Sequence, residues 1–88
     1  MENKKAKYFV ISSEEGDINI LSMHDKISEA CESLLHEVYD YKDKILARGI
    51  YNEEKLKIHI ELGTIAPNAE IEIFNNVTIY FMVCKFYI

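Results

Sequence analysis

The stretch Ile27-Ser28-Glu29-Ala30-Cys31-Glu32-Ser33-Leu34-Leu35-His36-Glu37-Val38-Tyr39-Asp40-Tyr41-Lys42-Asp43-Lys44-Ile45 decides the fold. Ile27, Cys31, Leu34, Val38, Tyr41 and Ile45 recur at spacings of 4, 3, 4, 3 and 4. That period makes one continuous apolar stripe over about five helical turns. Ser22 or Asp25 can cap its start, since either side-chain oxygen can accept from an orphan first-turn amide. Arg48 suits the negative C-terminal end and Gly49 is the expected stop. The spacing therefore predicts one long helix, roughly Met23 to Arg48.

On both sides of the helix the period changes to two. Ala6 to Ser13 alternates and is rich in aromatic and β-branched residues, as a strand requires. Ser13 to Asp17 supplies a turn, with Gly16 able to take positive φ at a bulged hairpin loop. Asp17 to Leu21 follows as a second strand with Ile18 and Ile20 on one face. Beyond the helix, Lys55 to Leu62 places Leu56, Ile58, Ile60 and Leu62 inward and Lys55, Lys57, His59 and Glu61 outward. Gly63 to Ala69, with Pro67 and Asn68, reads as a loop. Glu70 to Phe74 is a fourth strand, Asn75-Asn76 a hairpin turn, and Val77 to Tyr87 a long fifth strand. A three-residue loop there pairs Ile71 with Ile79 and Ile73 with Val77, which keeps the aliphatic face whole. It also turns Tyr80, Met82, Cys84 and Phe86 away from the helix. The order ββαβββ predicts a single α+β domain over residues 1–88. Its form is a two-layer sandwich, a mostly antiparallel five-stranded sheet with the helix across one face.

The 88 residues suit one domain, and 49 % hydrophobic against 28 % charged content is the balance of a folded chain. The net charge of −5 argues against direct nucleic-acid binding, which needs a basic stripe. The polar start and the short apolar run Tyr8 to Ile11 match neither a secretory leader nor a membrane span. Cys31 and Cys84 read as free thiols of a reducing cytoplasm, including that of an infected host.

Catalytic arrangements find little support. His36 and Asp40 lie one helical turn apart, as two metal ligands would, but a third ligand is missing from the pattern. Cys31 falls on the apolar stripe, where a thiol is structural. The three glycines are isolated, so no phosphate loop forms. We expect no enzyme activity, no metal and no cofactor.

The outer face of the helix carries more information. At about 100° per residue, Asp25, Glu29, Glu32, His36, Asp40 and Asp43 share an arc of about 80°, nearly opposite the apolar stripe. The row runs for about 27 Å, with carboxylates spaced much like phosphates on a nucleic-acid strand. Like-charged neighbours on a helix cost a few tenths of a kcal/mol each. Either the acids are merely solvated, or the row faces a basic groove in a partner. In the second case the contacts are Asp25, Glu29, Glu32, Asp40 and Asp43, and the partner is a nucleic-acid-processing protein.

The second face of the sheet matters as well. Tyr80, Met82 and Phe86, with Phe9 or Tyr8, would stand exposed in a monomer, and such patches mark interfaces. A homodimer through that face or through an edge strand is expected. An alternative is a homo-oligomer that sequesters a small anionic ligand, such as a nucleotide messenger, on Lys55, Lys57, His59 and Tyr80. In size, acidity and its Lys-, Ile- and Tyr-rich composition the chain resembles small phage-encoded proteins that block bacterial defence nucleases, anti-CRISPR proteins among them. The resemblance implies an inhibitor that works by protein–protein contact, and it assigns no residue.

Overall fold

A computed structural model describes residues 5–49, 56–73 and 77–88. Its elements are β1 (Ala6–Glu14), β2 (Asp17–His24), α1 (Ile27–Ala47), β3 (Lys57–Glu61), β4 (Asn68–Ile73) and β5 (Val77–Tyr87). The strands form one sheet in the order β2-β1-β5-β4-β3, and every neighbouring pair is antiparallel. The two ends of the chain thus supply adjacent central strands. Lys5 and Ile88 exchange backbone hydrogen bonds of 2.9 and 3.1 Å where β1 meets the end of β5. The expected two-layer α+β architecture is the one observed.

The core follows from the alternation. Val10 on β1, Ala69, Ile71 and Ile73 on β4, and Ile79, Phe81 and Val83 on β5 point to one side of the sheet. Ala30, Leu34, Val38 and Ile45 of α1 close over them, and the helix packs across β1, β2, β4 and β5. Full burial of each large aliphatic side chain contributes roughly 1.5–3 kcal/mol. Ile71 faces Ile79 and Ile73 faces Val77, the register that the aliphatic pattern requires. The Asn75-Asn76 turn lies outside the described residues.

Several boundaries differ from the sequence reading. β2 runs on to His24, and α1 starts at Ile27 instead of Met23. The N-cap is Lys26, without a side-chain cap bond. Neither expected cap is free for that task. Ser22 Oγ sits 2.9 Å from Ser33 Oγ and 2.8 Å from His24 Nε2, and Asp25 is paired with Lys7 of β1. The buried line of the helix is Ala30-Leu34-Val38-Ile45, while Ile27 is 41 % exposed and Cys31 and Tyr41 are half-buried. The stripe is therefore displaced toward Ala30, whose methyl group needs the least room between helix and sheet.

The first hairpin is tighter than expected. Glu14 pairs directly with Asp17, leaving Glu15 at φ 51° and Gly16 at φ 87° as a two-residue loop. Two successive positive φ angles are the requirement of a type I′ turn, whose twist matches that of the strands. The bulge lies further along, where Val10 pairs with Ser22 but Ile11 with Ile20. Leu21 is the extra residue. It packs against the core, while Ile18 and Ile20 stay on the opposite face.

At the other edge, β3 is shorter than the predicted Lys55 to Leu62, and Lys55 lies outside the described residues. The loop before β4 gives up Asn68 and Ala69 to the strand. Pro67 is buried there, and its carbonyl accepts from Val83 N–H at 2.8 Å. Gly49 stops the helix as expected, at φ 72° and with its N–H donating to the Leu46 carbonyl at 3.1 Å.

Candidate interaction surfaces

Two surfaces stand apart, one on each side of the molecule. The first is the solvent side of α1. Glu29, Glu32 and Asp43 are exposed on it, and none of them forms an ion pair among the described residues. Glu29 lies in the first turn, where the helix dipole favours a negative charge. Asp40 is held by Lys44 one turn on, at 2.9 Å, and the ammonium keeps its carboxyl below the usual carboxylate range. The same pair raises the pKa of Lys44. His36 is exposed between Glu32 and Asp40.

Asp25 does not belong to the helix. It precedes the N-cap and pairs with Lys7 from β1, whose hydrogen bond and charge lower its pKa. The row of carboxylates on α1 is thus Glu29, Glu32, Asp40 and Asp43. Asp25 lies beyond its N-terminal end with its charge offset.

The second surface is the face of the sheet away from α1. Register places Ile18, Ile20 and Met23 of β2, Phe9 and Ile11 of β1, and Tyr80, Met82, Cys84 and Phe86 of β5 on it. Ile20 is 69 % exposed, Phe86 and Tyr80 53 % each, and Met82 40 %. Phe9 belongs to this face and meets Phe86 edge to face, with ring centroids 5.3 Å apart. Tyr8 packs on the core side instead. A groove of about 430 Å³ runs between Phe9, Ile11, Ile18, Ile20, Cys84 and Phe86. The sequence reading recognised the β5 half of this patch. The β2 half escaped it because alternation groups Ile18 with Ile20 without saying which side of the sheet they take.

The same face turns polar on β4 and β3. Lys57 stands opposite Glu72, and His59 stands opposite Glu70 and lies 3.2 Å from Glu61 Oε1. Tyr80 also faces Glu70 across the β4–β5 ladder. Of the side chains expected to hold an anionic ligand, Lys57, His59 and Tyr80 are therefore interleaved with carboxylates.

Cys31 and Cys84 are free thiols, and burial pushes the Cys31 thiol up. Among the described residues, no three His, Cys, Asp or Glu side chains gather closely enough to hold a metal ion. No helix among them is long and apolar enough to cross a membrane. No protein family, curated protein or solved structure matches the chain.

Proposed function

We propose that this chain is a non-enzymatic binding protein whose acidic helix face occupies the basic, nucleic-acid-binding surface of a partner. Glu29, Glu32, Asp40 and Asp43 stand in for phosphates, in the manner of an anti-CRISPR or other anti-defence inhibitor, and the site of action is the cytoplasm. The observation that carries this reading is the exposure of Glu29, Glu32 and Asp43 without ion pairs among the described residues, on the side of α1 opposite its buried line. Such a ridge attracts a positive groove over distance and makes association salt-dependent. Asp25 and Asp40 contribute less than their places in the sequence imply, because Lys7 and Lys44 offset them. The anionic-ligand alternative is the weaker one, since Lys57 and His59 already face Glu72, Glu70 and Glu61.

The test measures binding to a DNA-cleaving defence nuclease, in competition with its DNA, from low to high salt. The natural chain is expected to displace DNA and to lose affinity as salt rises. The E29Q/E32Q/D40N/D43N variant is expected to bind at least about tenfold more weakly, as loss of several rim charges implies. A salt-independent affinity that the four substitutions leave unchanged overturns the reading.

A further inference from the structure

We infer that the apolar outer face of β2, β1 and β5 is covered by the same face of a second copy, giving a twofold-symmetric, four-layer dimer of helix, sheet, sheet and helix. This goes beyond the reading of the acidic helix and stands independently of it.

Area is the first argument. Ile18, Ile20, Met23, Tyr80, Met82 and Phe86 are each between 40 % and 69 % exposed, and their strands β2 and β5 flank β1, whose Phe9 and Ile11 join them across the same face. With Ile88 at the same end, side chains of this size present on the order of 600–800 Å². Isolated monomers rarely leave a contiguous apolar patch beyond a few hundred Å². The value instead matches the roughly 800 Å² that one partner gives to a standard interface.

Charge is the second. Two copies of a chain with net charge −5 repel over most of their surfaces. On the outer positions of β2, β1 and β5 the one charged side chain among the described residues is Lys7, already neutralised by Asp25. The charges begin again at Glu70, Glu72 and Lys57 on β4 and β3, which form a polar rim. The bare face is the place where two such copies approach without like-charge cost.

Shape is the third. The groove between Phe9, Ile18, Ile20 and Phe86 lies beside the projecting Met82 and Tyr80 of β5. A twofold axis sets the ridge of each copy against the groove of the other, as a self-complementary interface requires. Both acidic helices then face outward on opposite sides.

The experiment uses the full chain. Sedimentation equilibrium is expected to give twice 10.3 kDa at micromolar concentration. Met82→Glu and Ile20→Glu, each checked for a native circular-dichroism spectrum, should each weaken the dimer at least tenfold, while Glu72→Gln on the polar half should not. Cys84, which lines the groove, should react with a thiol reagent at least tenfold more slowly in the dimer than in the Met82→Glu monomer, read by peptide mass. A monomer at every concentration up to about 100 µM overturns the inference. So does a dimer whose Cys84 reacts as fast as in the monomer, because pairing through the β2 edge leaves this face open.

Discussion

Lys7 of β1 holds the carboxylate of Asp25 immediately before the N-cap of α1. The pair fixes the corner where β2 gives way to the helix, and it draws an acidic side chain back against its own sheet. It has a consequence for pH dependence. Lys7 lowers the folded-state pKa of Asp25, so the folded state binds its proton less readily than the unfolded chain. The stabilisation is present above the ordinary aspartate range and is lost as pH falls through the lowered value. Unfolding by urea between pH 5 and pH 2 should therefore show a shallower acid limb in Asp25→Asn than in the natural chain. Equal slopes would mean that this pair does not link to folding.

At the other end of the helix the sign reverses. Tyr41 donates to Glu14 Oε1 at 3.1 Å and packs edge to face on Phe81. Burial first, and then the Glu14 carboxylate, push its hydroxyl up to about 12. Free tyrosine ionises near pH 10, so between about pH 10 and 12 the unfolded chain releases a proton that the folded one retains. Stability falls across that window as pH rises. Thermal melts at pH 9 and pH 11 should show a smaller drop for Tyr41→Phe, which has no proton to lose.

The displaced apolar stripe is open to direct measurement. Leu34 is fully buried at the centre of the contact with the sheet, and Leu34→Ala should cost about 2–5 kcal/mol in urea unfolding. Ile27 heads the stripe in sequence but is 41 % exposed, so Ile27→Ala should cost less than about 1 kcal/mol. Similar costs at the two positions would contradict the observed rotation of the helix.

The Glu15-Gly16 loop gives opposite predictions at adjacent residues. Glu15 holds φ 51°, a region that asparagine tolerates far better than glutamate. Glu15→Asn should raise stability by roughly 0.5–1 kcal/mol. A methyl group at Gly16 meets no neighbour within 4 Å, yet φ 87° remains unfavourable for alanine. Gly16→Ala should therefore destabilise by about 1 kcal/mol through backbone strain alone.

Much of the architecture is legible in the chain because it depends on local periodicity. The 4-3 spacing from Leu34 to Ile45 and the alternation of Ile58 with Ile60 and of Ile71 with Ile73 need no distant partner to be read. Even the register of Ile71 on Ile79 follows, since a slip by one residue would turn the aliphatic row to the wrong face. The expected cap at Ser22 or Asp25 does not form, for the opposite reason. Each oxygen had a competing partner, Ser33 or Lys7, that lies far along the chain.

Element types, their order and the two-layer class are written in the chain, because hydrophobic period selects helix or strand from a few neighbouring residues. The tertiary structure alone decided the strand order and the bulge at Leu21. It also decided the union of Ile18, Ile20, Met82 and Phe86 into one apolar face, and the removal of Asp25 from the acidic row. Those outcomes rest on side chains far apart in sequence meeting across a sheet, and no local pattern encodes which of them meet.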